Sequence, residues 1–180
     1  MDGLPERDAS SVARSGKVGN DRKMEKLEDS IWAHCSSSSV RRASRQLGQL
    51  YDDAMGLTDL RGTQFSLLTQ IGYLQEPTQK ELARAMVMDL SALGHTLKPL
   101  IREDLVELVP DENDRRAKRV RLTATGSAKQ AELVANWREA QRRFDAVLGV
   151  ERSAELRRTL SFIASEDFAK AYEAAGKTAD

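Results

Sequence analysis

Residues 77–126 read PTQKELARAMVMDLSALGHTLKPLIREDLVELVPDENDRRAKRVRLTATG, and this stretch decides the predicted fold. It opens with Thr78 and, three residues later, Glu81. At this spacing a hydroxyl and a carboxylate cap each other's backbone amides at a helix start. Asp89 can cap a second short helix in the same way. Apolar positions at helical spacing predict a buried stripe on that second helix, formed by Leu93, Leu97, Leu100 and Ile101.

The next part of the stretch has the pattern of a β-hairpin. Residues 105–110 (LVELVP) and 117–123 (AKRVRLT) alternate apolar and polar side chains, and the polar segment DENDRR separates them. Two short helices followed by a hairpin are typical of a winged helix-turn-helix, in which the second helix lies in the major groove of DNA.

Helical periodicity extends on both sides of this core. Apolar residues recur at helical spacing over residues 37–55, 124–148 and 152–175, and Thr123 can cap the second of these helices. The three helices carry more apolar surface than a small winged domain needs to cover itself. Because helix packing between two copies buries such stripes, the pattern predicts a homodimer.

Composition excludes several other classes of protein. The 40% hydrophobic and 31% charged residues are typical of a globular chain, and no apolar run approaches the roughly 20 residues of a membrane span. Residues 1–26 have no apolar signal segment, so a cytoplasmic protein without a membrane partner is expected. One cysteine, Cys35, is too few for an internal disulfide or a cysteine zinc site, and we predict no metal and no cofactor.

Charge gives a local rather than a global indication of function. Lys plus Arg and Asp plus Glu both number 28, so the formal net charge is zero. Residues 115–121, however, carry five basic side chains and no acid, which predicts a positive tip on the hairpin.

We therefore predict that this region binds double-stranded DNA. Contacts of the reading helix are assigned to Ser91, Ala92, His95, Thr96, Lys98 and Arg102. Contacts of the wing are assigned to Asp114, Arg115, Arg116 and Lys118. A short charge pair between Asp114 and Arg116 is expected to aim the guanidinium at a narrow minor groove. The alternative is that both sets are the solvated face of an amphipathic helix and a solvated charge run.

The same residues resemble the multiple antibiotic resistance regulator (MarR) family of winged-helix proteins. The matching motifs are ELA at 81–83, TLKPL at 96–100, the D-x-R of Asp114 and Arg116, and LTATG at 122–126. The resemblance extends over residues 40–149.

This resemblance implies an obligate homodimer on a pseudo-palindromic operator. It implies a repressor whose affinity for DNA is lowered by a small, often aromatic, ligand or by cysteine oxidation. By the match to the family, Arg116 enters the minor groove and Asp114 orients it. Gly94 and His95 depart from the Thr or Ser and the Arg of many members, so the operator sequence does not follow from the resemblance.

Two regulatory sites stay open at this point. Cys35 lies beside His34 and about two turns before Arg41 and Arg42, and nearby positive charge lowers the pKa of a thiol and favours its oxidation. The alternative is an ordinary buried cysteine. A candidate ligand pocket between the dimer helices and the winged domain would be lined by Tyr51, Phe65, Leu68 and Trp137. For each of these the alternative is plain core packing.

Two other functions compete with this prediction. An enzyme needs a nucleophile with its base, a carboxylate pair, a phosphate-binding glycine loop or a metal cluster, and the sequence offers none. A winged-helix dimer that acts through protein–protein contacts is the stronger alternative, because fold alone does not fix function. The basic wing argues against it.

The predicted fold class is mainly α with a small β-hairpin. A disordered tail is expected at residues 1–26, followed by an N-terminal dimerisation helix region at 27–56. The winged helix-turn-helix DNA-binding domain occupies 57–125, and C-terminal dimerisation helices occupy 126–180.

Overall fold

The computed structural model describes residues 31–56, 60–114 and 116–177, and the predicted tail and Arg115 lie outside them. The helices are α1 (Ile31–His34), α2 (Ser36–Met55), α3 (Gly62–Leu74), α4 (Gln79–Ala85), α5 (Leu90–Arg102), α6 (Ala124–Leu148), α7 (Val150–Ile163) and α8 (Glu166–Lys177). The strands are β1 (Val106–Pro110) and β2 (Lys118–Leu122). The prediction of a mainly helical fold with a small hairpin is confirmed.

The chain divides into two compact units, Met1–Gly48 and Gln49–Asp180. Of the first unit, the structure describes α1 and the first part of α2. The second unit begins in the last turns of α2 and contains the remaining elements and the hydrophobic core. No helix in the described ranges is long and apolar enough to cross a bilayer.

The core of the second unit lies where α3, α4, α5 and the hairpin meet. Its most deeply buried aliphatic side chains are Leu67, Leu68, Ile71, Leu82, Leu93, Leu97, Leu100, Val106 and Val120. Burying one such side chain contributes roughly 1.5–3 kcal/mol relative to leaving it in water. These contacts hold three short helices that have little stability of their own.

The predicted buried stripe of α5 is right for its three leucines and wrong for Ile101. Ile101 is 39% exposed. Successive helical residues are about 100° apart around the axis, and this rotation places Ile101 to the side of the leucine stripe. The leucines alone therefore fix the rotation of α5 on the core.

Capping interactions set the helix boundaries. Thr78 Oγ1 accepts the amide of Glu81 at 3.2 Å, and the Glu81 carboxylate accepts the amide of Thr78 at 2.7 Å. Asp89 caps α5 by accepting an amide at 2.7 Å, and Thr123 caps α6 through an amide at 2.9 Å. The predicted starts of α4, α5 and α6 are confirmed, and each cap is worth about 1 kcal/mol.

The hairpin is antiparallel and is extended by a third short segment. β1 pairs with β2 along its whole length, from Val106 to Pro110. On the other side of β2, the amide of Val120 donates to the carbonyl of Pro77 at 2.8 Å. The connection between α3 and α4 is therefore joined directly to the wing.

The C-terminal region differs from the single helix predicted over residues 152–175. It contains α7 and α8, with the break at Ser165. The Ser165 hydroxyl accepts the amide of Phe168 at 3.2 Å, and two acidic residues follow it in the first turn of α8. A serine cap followed by acids starts a new helix, although the apolar periodicity continues across the break.

Candidate nucleic-acid interface

Helix α5 presents one continuous polar stripe to solvent. The exposed side chains opposite its leucines are Ser91, His95, Lys98 and Arg102. Residues three and four positions apart lie on one helix face. The stripe offers a hydroxyl, an imidazole and two cations, which can donate to base edges or to phosphate oxygens.

Two other residues predicted on the reading face, Ala92 and Thr96, flank this stripe and are half-buried. The hydroxyl of Thr96 donates to the carbonyl of Ala92 at 3.0 Å, so it is already bonded within the helix. Gly94 lies on the opposite flank, where an added Cβ would meet nothing within 4 Å. The backbone of α5 is therefore open to close approach at Gly94.

The wing loop is folded around the buried carboxylate of Asp111. Its Oδ1 accepts the amides of Asn113 and Asp114, each at 2.8 Å. Asp114 in turn accepts the backbone amide of Arg116 at 2.9 Å. The predicted pairing of the Asp114 carboxylate with the Arg116 guanidinium is therefore wrong. Among the described residues, Asp114 holds the Arg116 backbone and not its guanidinium, because a carboxylate two residues before an amide closes an Asx-type turn.

Only part of the predicted positive tip is free of ion pairs. Arg119 and Arg121 are held in ion pairs with acids at 2.6 and 3.0 Å. Arg116 and Lys118 are exposed, and neither has an ion-pair partner within the part of the chain that the structure describes. The predicted contact residue Arg115 lies outside the described residues. Arg116 and Lys118 are therefore the described cations that the tip offers to an anionic ligand.

Hydrogen bonding keeps the wing carboxylate ionised. The amides of Asp114 and Asn113, and after them the charge of Arg119, hold the pKa of Asp111 below its ordinary value. Each of these groups interacts with the charged form of the carboxyl. The hydrogen bonds that shape the loop around Asp111 therefore favour its charged form.

The residues predicted to line a ligand pocket lie in different surroundings. Phe65 and Leu68 are buried in the core. The hydroxyl of Tyr51 donates to Gln141 at 3.0 Å. Burial and, after it, the charge of Asp145 raise the pKa of Tyr51, so the phenol stays protonated as a donor.

Trp137 is the most exposed of these four, at 37%, whereas Tyr51 is half-buried. It lies in a cleft of about 470 Å³ on α6 and the start of α7. The other lining residues are Arg138, Gln141, Arg142, Asp145, Ala146 and Val150. The cleft therefore combines an aromatic wall with groups of both charges.

Cys35 lies at the start of α2 and is half-exposed. Its carbonyl accepts the amide of Ser39 at 3.0 Å. Hydrogen bonds from Ser38 lower the pKa of the thiol, and Arg41 contributes least among the causes. Hydrogen bonding by Ser38, rather than the arginine charge predicted from the sequence, is thus the main cause of the lowered pKa.

Sequence reasoning missed two residues of this interface, Asp111 and Glu76. The D-x-N-D pattern at a hairpin turn is typical of an Asx turn, and it was a usable signal for Asp111. Glu76 has no local signal, because its carbonyl accepts from Arg119, which lies 43 residues further along the chain.

An exposed reading stripe and a cationic wing on a core of short helices define a winged helix-turn-helix protein. The profile of the MarR family matches residues 60–118. Over 89 residues the chain is 29% identical to the multiple antibiotic resistance protein MarR of Escherichia coli K12. That match covers 49% of this chain and 62% of the relative, so the chain spans less than two thirds of the curated relative's length.

Solved structures extend the similarity to most of the chain. The transcriptional regulator MosR of Mycobacterium tuberculosis, solved in complex with DNA, is 34% identical with a TM-score of 0.66, over 78% of this chain and 98% of that one. The PcaV regulator of Streptomyces coelicolor, solved with its natural ligand, shares the fold at 19% identity and a TM-score of 0.67, over 77% and 97% of the two chains. The chain belongs to the MarR family. This confirms the predicted family and its class, which is that of transcription regulators rather than enzymes.

Proposed function

We propose that this chain is a sequence-specific DNA-binding transcription regulator that acts in the cytoplasm. The observation that carries the proposal is the exposed polar stripe of α5 together with exposed Arg116 on a wing whose backbone amides donate to the carboxylates of Asp111 and Asp114. The second helix of a helix-turn-helix lies in the major groove, and an arginine on a protruding loop suits a narrow minor groove. We assign base contacts to Ser91, His95 and Lys98, and phosphate contacts to Arg102 and Lys118.

We further propose that the DNA-binding form is a homodimer. Apolar side chains on α7 and α8 stay exposed in the single chain, namely Leu160, Phe162, Ile163 and Tyr172. A large exposed apolar surface marks an interaction site, and twofold dimers are the commonest oligomers. Two reading helices in successive major grooves, about 10 base pairs apart, then require a pseudo-palindromic operator.

The test is a titration of the protein against fragments of its own promoter region, with unrelated DNA as competitor. Binding is expected to survive the competitor and to weaken steeply between about 50 and 200 mM salt, because phosphate contacts release counterions. Arg116→Ala is expected to lose about 1–3 kcal/mol. Arg152→Ala, which removes an exposed arginine of α7, is the control.

Two outcomes would contradict the proposal. Wild-type affinity in Arg116→Ala would remove the wing from the interface. Failure to bind any fragment at low salt would favour the alternative, a winged-helix dimer that acts through protein–protein contacts.

For regulation, we propose a repressor that is released by oxidation of Cys35. The thiolate is the form that reacts with peroxide, and a half-exposed thiol with a lowered pKa forms it more readily. The thiolate attacks one peroxide oxygen, the O–O bond breaks, and a sulfenic acid and hydroxide are formed. Peroxide is expected to abolish DNA binding by the wild type and to spare Cys35→Ser. Equal loss in both proteins would make Cys35 structural.

A small aromatic ligand is the second candidate signal, and the cleft beside Trp137 favours it. An indole wall with Arg138 and Arg142 nearby suits a planar anion. In a Trp32→Phe background, benzoate is expected to quench the fluorescence of Trp137 and to weaken DNA binding. Unchanged fluorescence together with unchanged binding would exclude an aromatic carboxylate at this cleft.

A further inference from the structure

Arg119 occupies the junction between the wing and the helix-turn-helix. Its Nε lies 2.6 Å from Oδ2 of Asp111, the carboxylate around which the wing loop is folded. Its Nη1 donates to the carbonyl of Glu76 at 2.8 Å, which belongs to the connection between α3 and α4. One planar guanidinium thus joins two loops that are distant in sequence, and its rigid fork fixes orientation as well as distance.

The α3–α4 connection has an unusual backbone conformation. Gln75 and Glu76 have φ angles of 54° and 62°, in the left-handed region that residues other than glycine rarely adopt. Such residues persist where surrounding contacts hold them in place. Here those contacts include the Arg119 hydrogen bond, the backbone bond from Val120 to Pro77, and an ion pair from Arg121 to the Glu76 carboxylate at 3.9 Å. The wing and the first helix of the helix-turn-helix are therefore held at one spacing.

Charge distinguishes Arg119 from the arginine at the tip of the wing. The side chain of Asp111 is 5% exposed and neutralises Arg119 within the protein. Moving Arg119 to a phosphate would leave that buried carboxylate without its cation, which is strongly unfavourable. Arg116 is exposed and has no such acid among the described residues. Arg119 therefore adds little to the attraction for a polyanion, although it belongs to the basic run of the sequence.

We infer that Arg119 is a positioning residue for DNA recognition, which sets the spacing between the wing and the reading helix and makes no DNA contact itself. The inference rests on the proposed function, because this spacing matters where the wing and α5 engage one duplex together. Loss of the Arg119 contacts misplaces Arg116 relative to α5. Affinity for the operator then falls, whereas affinity for unrelated DNA does not depend on that register.

The first measurement uses the free, full-length protein. The variants Arg119→Met and Arg119→Lys both keep a long side chain and lack the planar guanidinium. Arg119→Met also removes the positive charge, whereas Arg119→Lys keeps it. In both variants, hydrogen exchange at the amides of Asn113 and Asp114 is expected to accelerate about tenfold or more, while exchange at buried Leu82 stays unchanged. Unchanged exchange in the wing would overturn the inference. Equal acceleration at Leu82 would also overturn it, since Arg119 would then support the whole fold.

The second measurement compares operator and unrelated DNA over a range of salt concentrations. Both Arg119 variants are expected to lose about tenfold in operator affinity, to bind unrelated DNA like the wild type and to keep its salt dependence. Lys118→Met removes a proposed phosphate contact and is the matched control. It is expected to lower the logarithmic salt slope by about 0.9 per protomer.

A different pattern of affinities would identify Arg119 as a residue that contacts a DNA phosphate. If Arg119→Lys binds the operator like the wild type while Arg119→Met lowers the salt slope, Arg119 contacts DNA and the inference fails. A wild-type protein that binds no DNA refutes the proposed function instead, and the exchange measurement still decides whether Arg119 holds the wing.

Discussion

Gly94 lies in the middle of α5, and replacing it with alanine is expected to separate the stability of the fold from its affinity for DNA. An added Cβ meets nothing within 4 Å, and the backbone there is helical. Alanine is favoured over glycine inside a helix by about 0.8–1.0 kcal/mol. For a chain of this size, 1 kcal/mol corresponds to about 2–4 °C in melting temperature. A rise of that order, measured by circular dichroism, is expected for Gly94→Ala.

The same methyl group is expected to weaken operator binding. Gly94 flanks the exposed stripe of α5, where the open space allows a DNA backbone to approach the helix. Inserting a methyl group into a close-packed contact costs about 1–3 kcal/mol. Operator affinity, measured by fluorescence anisotropy, is therefore expected to fall by roughly five- to 150-fold.

Gly48→Ala is the matched control for this experiment. Gly48 is an exposed residue within α2, and an added Cβ there also meets nothing within 4 Å. It is expected to give a similar rise in melting temperature and no change in affinity. A Gly94→Ala protein that binds the operator like the wild type would show that DNA does not approach α5 at this point. A lower melting temperature would refute the argument from open space.

Three further predictions test the core and the wing. In Gly126→Ala the new Cβ would overlap the backbone carbonyl of Leu105, so unfolding in urea is expected to show a loss of about 3 kcal/mol; wild-type stability would contradict the packing of α6 against this carbonyl. Leu97 is 1% exposed, and Leu97→Ala is expected to lose about 2–5 kcal/mol, whereas the exposed-site control Lys98→Ala stays within about 0.5 kcal/mol. The pKa of Asp111 is lowered in the folded protein, so its contribution to stability is present above its ordinary value of 3.8 and is lost as the pH falls through the lowered pKa. Acid is therefore expected to lower the protection of the wild-type wing amides against hydrogen exchange, relative to their intrinsic rates, in that window; an Asp111→Asn variant with the same acid response would contradict this assignment.

Local interactions explain which parts of the fold the sequence predicts. Thr78, Asp89 and Thr123 each cap a helix through an amide three residues away, so the pattern of residue types is enough to find them. The wing geometry depends instead on a contact between Arg119 and Glu76, 43 residues apart. No local pattern indicates that contact.

The sequence predicts which residue types form the candidate interface. It does not predict which of these side chains are ion-paired or half-buried in the folded chain. The sequence treats the five cations of residues 115–121 as equivalent, whereas tertiary ion pairs neutralise Arg119 and Arg121. The outer face of α5 is also narrower than predicted, because Ala92 and Thr96 are half-buried beside it. Both differences arise from neighbours that only the folded chain brings close.

The prolines of the small sheet affect how this protein behaves at high concentration. β1 ends at Pro110, and the segment that extends the sheet beyond β2 begins at Pro77. Proline offers no N–H, and short, proline-bearing edges discourage strand pairing between molecules. A hairpin with an exposed tip can therefore stand in solvent without seeding intermolecular β-sheet aggregation.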